Sequence, residues 1–174
     1  NVSPDGQRLY IYVSSGNNGN VYESSLIGEI WGEPVRMTNN VNSDAWETHI
    51  AMAADGNTMY FVSDRPGGEG ERDLYRSVIL PNGEWSKAKN LGDVVNSEWD
   101  EEAPFIHPDG RTLYFSSKGH NSMGGFDIFY TTLQEDGSWT EPVNVGYPLN
   151  TCDDDLYFVT TPDGLRGYFS SDRP

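Results

Sequence analysis

The chain repeats itself along its length. Asp-Gly pairs stand at Asp5-Gly6, Asp55-Gly56, Asp109-Gly110 and Asp163-Gly164, spaced by 50, 54 and 54 residues, and a tyrosine follows each at one offset: Tyr10, Tyr60, Tyr114 and Tyr168. Trp31, Trp85 and Trp139 are spaced by 54, as are Asn42, Asn96 and Asn150. A fixed period of this length calls for a solenoid or a propeller before any other architecture, because each repeat then buries its apolar face on the next.

Within a period the signals are those of strands. In the second copy they fall near His49 to Ala53, Thr58 to Ser63, Asp73 to Ile79 and Trp85 to Leu91. The third copy gives Ala103 to His107, Thr112 to Ser117, Phe126 to Leu133 and Trp139 to Val145; the last gives Leu156 to Thr160 and Arg166 to Ser171. Asp-Gly turns join them, with glycine supplying the positive φ that other residues resist. The first copy offers Arg8 to Val13 and Asn20 to Leu26 around a short loop, Ser14 to Gly19, whose brevity explains the 50-residue spacing. Four short antiparallel strands at a fixed period make a propeller blade. The expected fold is therefore all-β: a β-propeller with blades at about 1–46, 47–99 and 100–154 and a partial blade at 155–174. Rings commonly close with 4 to 8 blades, and six of this length need about 320 residues. The chain thus reads as a fragment of a larger ring.

The segments HPDGRTLYFSS, AADGNTMYFVSDRPGG and TPDGLRGYFSSDRP resemble the WD-like propeller repeats of the TolB type. The longer NSEWDEEAPFIHPDGRTLYFSSKGHNSMGGFDIFYT is similar to repeats that precede OmpA-type peptidoglycan-binding domains in envelope proteins of Bacteroidetes-like bacteria, some of them in type IX secretion or gliding machinery. The resemblance covers essentially the whole chain. It implies a periplasmic, cell-envelope setting, partners among envelope or secretion proteins, and contact with peptidoglycan only through a domain elsewhere in the parent protein.

Composition narrows the partners. A net charge of −16 argues against nucleic acid, whose affinity rests on Lys and Arg displacing counterions, and against an anionic membrane surface. Basic partners and cations remain. Cys152 is the only cysteine, so neither an intrachain disulfide nor a multi-cysteine metal site can form. No apolar run is long enough for a membrane-spanning helix, so direct membrane insertion is not expected. The chain opens at Asn1 inside what reads as a first strand, so an upstream segment is expected.

In a propeller the connections between blades share one face with the loops that follow the second strands. On that face the pattern places Asp44, Glu47, Glu98, Asp100, Glu101, Glu102, Asp153, Asp154 and Asp155, with Asp64, Arg65, Lys118, His120, Asp172 and Arg173 between them. Acids at one phase of every repeat predict a negative ring at the channel mouth, suited to a basic peptide or to a divalent cation such as calcium. The favoured reading, however, pairs each acid with the arginine of Ser-Asp-Arg-Pro or with backbone N–H groups of the neighbouring loop. Trp46, Glu47, Arg65, Trp99, Asp100, Glu101, His120 and Asp154 are the candidate contact residues.

Other features read as architecture. Gly67-Gly68 and Gly124-Gly125 lack the helix and Lys-Ser/Thr of a phosphate loop. Trp31, Trp85 and Trp139 could stack on sugars, but one-repeat spacing favours packing between blades. Asp136-Gly137-Ser138-Trp139 misses the sialidase Asp-box spacing, the histidines His49, His107 and His120 lack metal-ligand spacing, and no Gly-x-Ser-x-Gly elbow is present. No catalytic residue and no cofactor are therefore expected. The expected function is a non-catalytic interaction or scaffold module that binds a protein through its loop face. A glycan, peptidoglycan-fragment or calcium-binding propeller is one alternative; the propeller part of a glycosidase or peptidase with catalytic residues outside the chain is another.

Overall fold

The computed structural model describes residues 1–15 and 18–174. Every helix or strand element among them is a strand, and no helix is long and apolar enough to cross a membrane. The first sheet holds β1 (Arg8–Ser15), β2 (Asn18–Ile27), β3 (Ile30–Trp31) and β4 (Val35–Arg36). The second is the meander β5 (Glu47–Met52), β6 (Thr58–Ser63), β7 (Asp73–Val78) and β8 (Lys89–Asn90). The third repeats it with β9 (Glu101–Ile106), β10 (Thr112–Ser117), β11 (Asp127–Thr132) and β12 (Val143–Asn144), and β13 (Asp155–Thr160) pairs β14 (Gly167–Ser171) in the fourth. This succession of antiparallel sheets is an arc of a β-propeller. In the first blade the innermost strand shrinks to a single bridge between Val2 and Leu9. Of the short loop expected over Ser14 to Gly19, Ser14, Ser15, Asn18 and Gly19 belong to β1 and β2, and residues 16–17 lie outside the described residues.

The cores lie between blades. Along β6, Met59 and Phe61 join Tyr10, Val21 and Trp85 in a cluster between the first and second blades. Tyr60 and Val62 point the other way and join Leu113, Phe115 and Phe129 between the second and third. Period-two alternation thus feeds two different cores from one strand. Trp85 meets Tyr10 edge-on at 6.4 Å and Trp139 meets Tyr60 at 6.1 Å, so the tryptophan of each of these blades packs on the tyrosine of the blade before it. The end faces stay open: Ile30 is 75% exposed at one end and Tyr168 is 61% exposed at the other.

Two corrections concern strand limits. The long outer strands expected after Trp85 and Trp139 are only two residues each, at β8 and β12. Before them each tryptophan makes a lone bridge, to Ile79 or Leu133. Ser86 and Thr140 then donate their N–H to Val78 O and Thr132 O, but the return bond goes to a hydroxyl: Val78 N–H donates to Ser86 Oγ and Thr132 N–H to Thr140 Oγ1. The inner strands, conversely, begin earlier than expected, on Glu47, Glu101 and Asp155 themselves. Each also carries a bulge, between Thr48 and Ala51, Glu102 and Phe105, and Leu156 and Val159. At its centre His49, Ala103 or Tyr157 takes a left-handed φ of 42°, 50° or 58°.

Candidate functional site at the connector face and inner strands

The connectors between blades are fixed by one buried asparagine each. Asn42 Oδ1 accepts from Val21 N–H while its Nδ2 donates to Val21 O, so the side chain acts as one more strand residue. Asn96 does the same with Leu74, and Asn150 with Ile128. Just beyond, the strand-opening acid accepts N–H groups from its own connector: Ser43 donates to Glu47, Ser97 to Glu101 and Thr151 to Asp155.

Arginine completes this arrangement in two copies. Arg65 Nη2 donates to Glu47 Oε1 at 3.0 Å and to Val41 O at 2.6 Å, with its guanidinium 4.8 Å from the Tyr75 ring centre. Arg173 Nη2 reaches Asp155 Oδ1 at 2.8 Å and Leu149 O at 2.6 Å. Burial raises the Asp155 carboxyl, but hydrogen bonds from Ser171, Arg173 and Thr151 outweigh it and hold the group below its ordinary range.

The favoured pairing of these acids therefore holds, and the exposed ring is corrected in part. Glu47, Glu101 and Asp155 are wholly buried, and Glu102 is 3% exposed, because they satisfy connector amides and cations instead of facing solvent. Among the candidate contacts, Glu47 and Glu101 present no surface, and Arg65 is held inward by its three acceptors, Ser63 Oγ, Val41 O and Glu47 Oε1. Asp100 is 8% exposed and bonded to Lys118 Nζ at 2.8 Å. Asp154 Oδ1 accepts from Phe126 N–H at 2.8 Å. The reachable groups are Trp99, 51% exposed, the exposed His120, and Trp46, half-buried against Tyr12 with ring centres 6.2 Å apart. Trp99, His120, Lys118, Glu69, Asp93 and Glu98 border one cavity of about 430 Å³.

Sequence reasoning missed a second grouping, on the inner strands. His49 from β5 places Nδ1 against Glu102 of β9, and its Nε2 lies 3.2 Å from the hydroxyl of Tyr157 on β13. Arg72, just before β7, donates to the other oxygen of Glu102 at 2.5 Å. Burial draws the Glu102 carboxyl upward, but hydrogen bonds and charge from His49 and Arg72 prevail and lower it. Three blades are thus linked by one chain of polar contacts. Tyr12, Trp46, Thr48, His49 and Arg72 line a cavity of about 410 Å³ beside it. Gly19 makes room for this wall, since a Cβ there would lie 2.4 Å from the Tyr12 ring. Only the shared 54-residue phase of His49, Ala103 and Tyr157 could have signalled the grouping. Among the described residues no three His, Cys, Asp or Glu side chains are grouped to hold a metal ion.

No family model matches the chain, and no curated protein matches it. Solved structures do. TolB from Acinetobacter baumannii superposes with a TM-score of 0.62 at 15% identity, over 97% of this chain and 36% of that one. A TolB homologue from Agrobacterium tumefaciens gives a TM-score of 0.67 at 22% identity, over 98% of this chain and 52% of its own. A prolyl endopeptidase gives a TM-score of 0.61 at 18% identity, over 98% and 22%. The chain spans about half or less of each of these proteins. At such identities the likeness concerns the fold, and by that measure the chain is an arc of a TolB-like β-propeller.

Proposed function

We propose that the chain is a non-catalytic interaction module of a Gram-negative cell-envelope protein, holding a protein partner on its connector face. The observation that carries this reading is Trp99. A large apolar ring stands 51% exposed on a connector that Asn96 and Glu101 fix in place, beside a cavity bordered by acids. Rigid aromatic anchors with a charged rim are what binding surfaces use. The net charge of −16 favours a basic partner and speeds its arrival. The periplasmic setting, an OmpA-type domain in the parent protein and a place in type IX secretion follow from the resemblance of the repeats, and belong to the proposal.

The test is capture from envelope extract followed by binding of the purified partner to wild type, Trp99→Ala and Trp46→Ala. Loss of about tenfold or more in affinity with an unchanged melting temperature is expected for Trp99→Ala. Equal affinity for all three proteins would remove the connector face as the contact. A second reading, glycan or peptidoglycan-fragment binding, draws on the Tyr12–Trp46 pair over its cavity. Muropeptides should then shift the tryptophan fluorescence of wild type and not of Trp46→Ala.

A further inference from the structure

The third copy breaks the acid–arginine arrangement of its neighbours. Where the others read Asp64-Arg65-Pro66 and Asp172-Arg173-Pro174, it reads Lys118-Gly119-His120. Arg65 and Arg173 each join a strand-opening carboxylate to a connector carbonyl, Val41 O or Leu149 O. His120 takes over the carbonyl alone: its Nε2 lies 3.0 Å from Val95 O, and its ring lies 5.4 Å from Phe129 and 6.1 Å from Phe115. Those rings are the counterparts of Tyr75 and Phe61, over which the Arg65 guanidinium sits. The loop has also closed inward, because a Cβ on Gly119 would lie 2.1 Å from Ser97 Oγ. No arginine fits at that position with the backbone as it stands.

Glu101 is consequently buried among neutral donors, the hydroxyls of Ser97 and Ser117 and the Ser97 amide. The charged groups of the packed elements do not relieve it. Asp73 faces it from β7, Asp100 and Glu102 flank it, and Glu98 lies on the connector. Arg72 is taken by Glu102 and Lys118 by Asp100, and among the described residues no cation is paired with Glu101.

We infer that the Glu101 pin is a proton-dependent latch on the connector that carries Trp99 and Asp100, tight when Glu101 holds a proton and loosened when it does not. The connector of Asp155, whose carboxyl holds Arg173 and lies below its ordinary range, lacks this response. Burial, the largest influence, pushes the Glu101 carboxyl up to about 7, against the hydrogen bonds of Ser97 and Ser117. The folded-state value thus lies above the ordinary 4.5, so the stabilisation is full below about pH 4.5 and is lost as pH rises through 7.

The experiment follows the Glu101 side-chain carboxyl carbon by NMR from pH 4 to 9 in the wild-type chain, together with amide exchange at Ser97 and Thr151, corrected for the intrinsic rate. The carboxyl is expected to titrate near neutrality. Protection at Ser97 should fall on the order of a hundredfold between about pH 5 and 8, while Thr151 stays level. Glu101→Gln should make Ser97 level as well. A Glu101 carboxyl that titrates near its ordinary value, or equal losses at both amides, would overturn the inference. The wild-type titration decides even if the variant fails to fold, and neither readout requires a binding partner.

Discussion

At the scale of single residues, the governing fact is that the carboxylate opening the inner strand of three successive blades is an internal fastener. Arg65→Ala leaves Glu47 buried without its cation, and removing one partner of a buried pair costs about 3–5 kcal/mol. Urea unfolding should show that loss for Arg65→Ala and recover much of it in the Arg65→Ala/Glu47→Gln double variant. An unchanged midpoint for the single variant would mean that the connector amides alone hold Glu47. The periodicity of these acids and their pairing with arginine or connector amides were legible in the sequence, whereas the strand limits around them were not. Strand starts expected at His49, Ala103 and Leu156 lie at Glu47, Glu101 and Asp155, and a shift of one or two residues decides whether a side chain opens a strand or ends a loop. His49 and Tyr157 were illegible as a pair for another reason. Their contact spans 108 residues, and the bulge that aims them breaks the alternation from which a face is normally read.

At the scale of elements, the tryptophan of one blade and the tyrosine of the one before it form a contact that the 54-residue spacing had announced. Trp85 is 7% exposed against Tyr10, so Trp85→Ala should cost about 3–5 kcal/mol. Trp31, 38% exposed, should cost less than about 1 kcal/mol when replaced by alanine. Thermal unfolding of both variants checks the difference, and equal losses would show that the fold draws on the two tryptophans alike. Inner and middle strands were readable because apolar, β-branched and aromatic residues bounded by Asp-Gly turns leave few alternatives. The outer strands were not, since Ser86 and Thr140 satisfy by hydroxyl what a regular ladder would satisfy by backbone.

At the scale of the whole molecule, charge and topology pull in different directions. Eleven basic residues face twenty-seven acidic ones, and the cations in the pins are spent on buried partners that salt screens weakly. Self-repulsion among the remaining surface acids is screened well. Raising salt from about 0.05 to 0.5 M should therefore raise the melting temperature by a few degrees. A fall would show that exposed ion pairs such as Lys118 with Asp100 outweigh the repulsion. The placement of both apolar clusters between sheets, with neither enclosed by one sheet, reaches beyond stability to ancestry. Unequal exchange between gene copies can lengthen or shorten such a chain only by whole periods, wherever the crossover falls. Any other step would mate a tryptophan with the wrong strand and strand half a core, so heredity is constrained to count in blades.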